Sequence, residues 1–265
     1  YTLSLHDALP ISIAIYAACK ATVKVGDGKE ITLHEETNYP FEEAIAFTVS
    51  TGEKVAFPFY LRIPSWTQKA EVRVNGKKVS AAPVAGKYLC INREWANGDR
   101  VELTLPMSLS MRTWQVNKNS ISVDYGPLTL SLKIAEKYVE KDSRETAIGD
   151  SKWQKGADSK KWPTTEIYPD SPWNYSLVLD KKEPLKNFKV IRKSWPTDNY
   201  PFTVASVPLE VKAIGRPVPE WKIDETGLCG VLPEEDAVKG DKEEITLIPM
   251  GAARLRISAF PNTKE

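Results

Sequence analysis

Apolar and polar residues alternate with period two along most of the chain. Ala21-Thr22-Val23-Lys24-Val25 and Ile31-Thr32-Leu33-His34-Glu35 alternate on either side of Gly26-Asp27-Gly28-Lys29, which predicts a hairpin closed by a Gly-containing turn. Ile45, Phe47 and Val49 continue the pattern, and Phe57, Phe59, Leu61 and Ile63 resume it after Thr51-Gly52. Val72 and Val74 lead into Asn75-Gly76, the strongest short hairpin signal. Strands follow at 88–92 and, behind Asn97-Gly98-Asp99, at 101–107. Pro58, Pro64 and Pro106 belong at strand edges or ends, because proline cannot donate to a ladder.

A second β segment starts near Ser120, with Ile121 and Val123 before Gly126-Pro127 and Leu128, Leu130, Leu132 and Ile134 after it. Alternation fails from Lys137 to Lys161, which reads as a long polar surface loop. Short strands return at 175–179, 202–207 and 209–213, residues 228–242 read as an acidic loop, and 244–248 and 254–260 read as closing strands. No stretch holds a helical apolar period over 12 residues. Strands at roughly 8–12-residue spacing separated by turns predict an all-β chain of two antiparallel β-sandwich domains with long loops.

Composition narrows the function classes. The 265 residues include 36 Lys and Arg against 35 Asp and Glu, a net charge of +1, which removes the basic footprint of a nucleic-acid-binding protein. Eight Trp and 19 Pro stand beside two His and three Cys. That inventory is rich in turn-forming and aromatic residues and poor in catalytic ones. Cys19, Cys90 and Cys229 are 71 and 139 residues apart, far from the short spacings of a structural zinc site, and read as buried or half-buried thiols. They leave the cellular compartment undecided. His34 reads as a solvent-facing residue of its strand.

Carboxylates occur as Glu35-Glu36, Glu42-Glu43, Glu234-Glu235-Asp236 and Glu243-Glu244. A glycosidase needs two acids facing one bond, whereas adjacent acids on a strand face opposite ways, so these runs read as solvated charge. Gly26-Asp27-Gly28 and Gly227-Leu228-Cys229-Gly230 lack the strand–turn–helix setting of a phosphate loop. No catalytic and no metal residue is assigned. Trp66 and Trp95 end strands and read as core or rim packing. Trp153, Trp162, Trp195 and the other tryptophans are scattered, but Trp173-Asn174-Tyr175 clusters two aromatics and an amide after Pro169-Asp170-Ser171-Pro172. Trp173, Asn174 and Tyr175 are the candidate contacts to carbohydrate or to another domain.

The first residues admit three readings. A secretory leader needs a basic start, yet no Lys or Arg precedes Lys20, and Asp7 interrupts the apolar run. Tyr16-Ala17-Ala18-Cys19 resembles a lipoprotein cleavage box, which would anchor a surface domain at Cys19. Leu3-Ser4-Leu5-His6-Asp7-Ala8-Leu9-Pro10-Ile11 resembles translated adapter text at the ends of metagenomic fragments, and residues 1–12 are read as such a non-native leader. The nine residues from Ile11 to Cys19 are too few for a transmembrane helix, which takes about 20.

Several ordered strings resemble the region that follows the catalytic barrel in family 127 glycoside hydrolases, the β-L-arabinofuranosidase type. They are Phe57-Pro58-Phe59-Tyr60-Leu61-Arg62-Ile63-Pro64-Ser65-Trp66, Val74-Asn75-Gly76-Lys77, Ile91-Asn92-Arg93-Glu94-Trp95 with Gly98-Asp99, and Leu103-Thr104-Leu105-Pro106-Met107. Tyr125-Gly126-Pro127-Leu128, Ser171-Pro172-Trp173-Asn174-Tyr175, Leu247-Ile248-Pro249-Met250-Gly251 and Leu255-Arg256-Ile257 continue the series, so the likeness runs from about residue 13 to 261. It implies a strand at 13–21 that pairs with the second sandwich, a first sandwich at 22–112, and a second at 113–265 with an insertion at about 137–165. It also implies a catalytic (α/α)6 barrel in cis, holding zinc, an acid/base Glu and a Cys nucleophile. None of those barrel motifs matches this chain, so no cofactor is expected in it. The expected function is the accessory part of an arabinofuranosidase-like hydrolase that is inactive alone and presents an apolar barrel-facing surface. A stand-alone carbohydrate-binding or structural module is the alternative, with a glycan as partner.

Overall fold

The computed structural model describes residues 9–143, 158, 160–233 and 240–264. Residues 1–8 of the expected leader, most of the expected insertion including Trp153, and Glu234-Glu235-Asp236 lie outside them. The chain divides into two compact units. One runs to Leu109 and includes Tyr125–Leu128, and the other comprises Ser110–Asp124 and the chain from Thr129 on. Nearly all regular structure among the described residues is β, in mainly antiparallel sheets of the β-sandwich type, beside a 3-10 turn at Met250–Ala252.

The first unit holds β1 (Ile11–Ile13), β2 (Cys19–Val25), β3 (Lys29–Thr37), β4 (Ala44–Thr51), β5 (Val55–Arg62), β6 (Glu71–Val74), β7 (Lys77–Lys78), β8 (Tyr88–Trp95) and β9 (Arg100–Thr104). They form a three-stranded sheet ordered β1-β5-β8 and a six-stranded sheet ordered β2-β3-β4-β9-β6-β7. Period two decides what meets between the sheets. Ile31 and Leu33 from β3, Ile45, Phe47 and Val49 from β4, and Phe57, Phe59 and Leu61 from β5 are buried in one core. At its centre, Trp95 stacks on Phe57 with ring centroids 5.6 Å apart and meets Phe59 edge-on at 5.7 Å. Its Nε1–H donates to the Phe57 carbonyl at 3.0 Å, so the one polar atom of the ring is satisfied.

Asn75 and Gly76 both take positive φ, 49° and 76°, as a two-residue hairpin requires. Pro58 sits on the middle strand of the small sheet, but β1 pairs only with Phe59–Leu61, so the proline lies just past the end of that ladder. β1 pairs parallel with β5 and β2 pairs antiparallel with β3, so residues 11–25 are part of the first unit rather than partners of the second sandwich. Tyr16, in the core, fixes this placement: its hydroxyl donates to the Arg62 carbonyl at 2.5 Å. The end expected for the leader, residue 12, falls inside β1.

The second unit carries β10 (Leu109–Trp114), β11 (Ser120–Tyr125), β12 (Leu128–Leu132), β13 (Glu136–Lys141), β14 (Thr164–Pro169), β15 (Tyr175–Leu179), β16 (Lys189–Arg192), β17 (Leu209–Pro217), β18 (Glu243–Pro249) and β19 (Asn262–Lys264), with the ends at Leu109, Tyr125 and Leu128 counted in the first. The large sheet is ordered β10-β11-β12-β18-β17-β15-β19, with β16 paired to β17, and β13 and β14 form a separate hairpin. Every residue of β11 and β15 is buried, on both faces. The polar members of β11 are satisfied from neighbouring segments. Arg112 makes a two-point ion pair to Asp124 at 2.6 and 2.9 Å, and Ser122 accepts from Trp114 Nε1 and donates to the Ser258 carbonyl.

Three expectations for this unit are corrected. Residues 137–141 are a strand, not loop, because Glu136–Lys141 pairs over its length with Thr164–Pro169. Its polar composition reflects a strand with exposed residues on both faces, in a hairpin that buries none of its residues fully. Residues 202–207 are a turn. Pro201 and Pro208 bracket it, and Thr203 Oγ1 accepts the Ser206 N–H, diverting backbone groups from a ladder. Residues 254–260 are irregular rather than a closing strand, because the Ile257 N–H is taken by the Ser131 side chain.

Candidate functional site

Five segments of the second unit meet around a cleft of about 650 Å³, one of them contributing Ile134 alone. β14 supplies Ile167 and Tyr168, the run before β15 supplies Trp173, a turn supplies Ile223 to Cys229, and Arg254 to Ile257 complete it. Asp224 builds the turn. One carboxylate oxygen accepts from the Thr226 hydroxyl at 2.6 Å and from the N–H groups of Thr226 and Leu228, which holds the acid below its usual range.

The three candidate residues have separate roles. Trp173 lines the cleft and meets Trp221 edge-on at 5.2 Å. Trp221 is itself buried and donates from Nε1 to the Gly230 carbonyl at 3.0 Å. Asn174 is a clamp: its Nδ2 donates to the Val218 and Trp221 carbonyls at 2.9 and 3.2 Å, and its own carbonyl accepts the Val218 N–H. Tyr175 points into the unit, where burial, then the neighbouring Glu243, pushes its phenol up. Tyr168, Arg254 and Arg256 are not legible as site residues, since no local pattern joins position 168 to 254 and 256. The Asp-Glu-Thr-Gly turn at 224–227 was the available signal for that wall.

The cleft holds an apolar floor, two aromatic rings and two cations. Its one carboxylate, Glu166, accepts from the Tyr168 hydroxyl and lies 4.0 Å from Lys141. Among the described residues lining the cleft there is one acid beside aromatic walls, where glycoside cleavage uses two acids facing one bond.

Elsewhere, His34 faces solvent, while all three cysteines are exposed rather than buried. Cys90 follows buried Leu89 on β8 and therefore turns outward, Cys19 lies on the uncovered edge strand β2, and Cys229 lies in the cleft turn. Among the described residues no three His, Cys, Asp or Glu come together. No described helix is long and apolar enough to cross a membrane.

Glu35 is a second correction, because it is buried rather than solvated. It sits on the inward face of β3 in register with Ile31 and Leu33, accepts the Ala17 N–H at 3.0 Å and lies 3.9 Å from Cys19 Sγ. Burial pushes its carboxyl up to about 7. A polar groove of about 520 Å³ on the outer face of the six-stranded sheet is lined by charges that pair with one another, Arg100 with Glu36 and Glu102, and Arg73 with Glu71.

Residues 10–107 match the family model described as Beta-L-arabinofuranosidase, GH127 middle domain. No curated protein matches the chain. Among solved structures, a GH127 beta-L-arabinofuranosidase from Geobacillus stearothermophilus T6 is similar with a TM-score of 0.61 at 21% identity, covering 99% of this chain and 34% of that one. A further GH127 beta-arabinofuranosidase gives 0.60 at 22%, covering 97% and 36%, and a structure described as a glycoside hydrolase gives 0.60 at 22%, covering 94% and 35%. The chain thus spans about a third of the length of these proteins and shares their fold over nearly all of its own, while its first unit carries the middle-domain sequence signature.

Proposed function

We propose that this chain is the accessory β-sandwich portion of an arabinofuranosidase-like glycoside hydrolase. The intact enzyme hydrolyses arabinofuranosyl or related plant-type glycans in a catalytic barrel joined to it in cis. The middle-domain match over residues 10–107 carries the reading. Zinc, where the intact enzyme uses it, belongs to that barrel. The purified chain is expected to leave a chromogenic β-L-arabinofuranoside intact. Turnover that co-purifies with the chain through successive columns overturns the reading.

A second reading is favoured by the cleft, where Trp173 and Tyr168 offer ring faces suited to stacking on a sugar. In that reading the second unit binds saccharide. Tryptophan fluorescence during titration with a plant oligosaccharide is expected to shift saturably, and Trp173→Ala to abolish the shift. An unchanged shift in that variant removes Trp173 from the site.

A further inference from the structure

The cleft is not electrically neutral. Arg254 and Arg256 line it, both exposed, and among the described residues neither guanidinium lies within 4.0 Å of a carboxylate. Arg256 spends its Nε–H on the Ala253 carbonyl at 2.9 Å, leaving its terminal nitrogens to other partners. The two nearby acids are already engaged. Glu166 accepts from Tyr168, and Glu136 accepts the Arg254 backbone N–H on one oxygen and the Tyr138 hydroxyl on the other. Two forked cations therefore share a pocket with an aromatic wall and with Ile134, Ile223 and Leu228, the last 66% exposed although apolar.

Each part selects a piece of one ligand. An aromatic face with aliphatic neighbours suits the C–H face of a pyranose ring. A guanidinium fork matches a carboxylate with two parallel hydrogen bonds, geometry that neutral hydroxyls do not reward equally. We propose that this cleft binds an acidic saccharide, a uronate, with its ring on Trp173 and its carboxylate on Arg254 and Arg256. The proposal rests on the saccharide-binding reading above and adds the charge of the ligand.

Calorimetric titration of the full chain with galacturonic acid trimer and with its fully methyl-esterified form tests it, since esterification removes the charge and keeps the ring. The acid is expected to bind about tenfold tighter than the ester, with an advantage that shrinks as salt is raised. The double variant Arg254→Gln/Arg256→Gln is expected to bind both forms with the ester's affinity, and Trp173→Ala to weaken both alike. Equal affinity of the wild-type chain for acid and ester overturns the charge assignment but leaves saccharide binding standing. An acid preference that survives the double variant overturns the two arginines, and one indifferent to Trp173→Ala overturns the ring contact. No heat from either trimer removes the saccharide reading together with the inference.

Discussion

The two units put the same side chains to different uses. In the first, Trp95 lies fully buried between Phe57 and Phe59 with its N–H satisfied. In the second, Trp173 leans on one buried neighbour and turns the rest of its surface to a cleft. The acids divide similarly. Glu35 is buried in the first unit with no cation at hydrogen-bond distance among the described residues, whereas Glu210 is buried in the second between Lys133 and Lys193, each 2.6 Å away. Burial raises both carboxyls, but beside Glu210 the two lysines outweigh it and the acid is held low. Residue type alone does not announce a role; the partners that a fold supplies decide it.

Urea denaturation of Trp95→Ala and Trp173→Ala breaks the comparison most directly. Trp95→Ala is expected to cost about 3–5 kcal/mol, since it empties the centre of a core. Trp173→Ala is expected to cost about 1 kcal/mol, the scale of one aromatic pair. Equal losses would erase the distinction between core and cleft.

The acids sharpen it at the next level. Glu210→Gln is expected to cost about 2 kcal/mol at neutral pH, because both lysines lose a charged acceptor. The folded protein holds this proton less tightly than the unfolded chain, so the stabilisation is present above the ordinary carboxyl value of 4.5 and lost as pH falls through the lowered one. Thermal melts of wild type and variant across acid pH are expected to converge.

Glu35 has the opposite sign. Its folded state holds the proton more tightly, so stability is highest below about 4.5 and declines as pH rises toward about 7. Glu35→Gln keeps the acceptor for the Ala17 N–H and removes the charge. It is expected to flatten this decline and to gain about 1–2 kcal/mol at pH 8. A wild-type chain whose first-unit stability is level from pH 4.5 to 7 contradicts that account.

The first unit was legible because one face of most of its strands meets the core and the other meets water. Alternation then marks the strand, and Asn75-Gly76 marks where it turns. Glu35 escaped notice because alternation reports which face a residue occupies but not whether a polar residue there is wet. The second unit blurs the signal in two ways. β11 is buried on both faces and β13 is exposed on both, so neither alternates cleanly. Its return segment at 254–260 also spends an N–H on the Ser131 side chain. Trp173 stood out locally, but Arg254 and Arg256 became visible as its neighbours only when the turn at 223–229 closed beside them.

Asn174 carries a consequence of its own. By holding two main-chain carbonyls, it secures part of the wall through atoms that every residue possesses, beside the packing of Trp221 on Trp173. The frame of the cleft is thereby separated from its lettering. Substitutions of the ring at 173 or of the charges at 254 and 256 therefore leave the two hydrogen bonds of Asn174 in place.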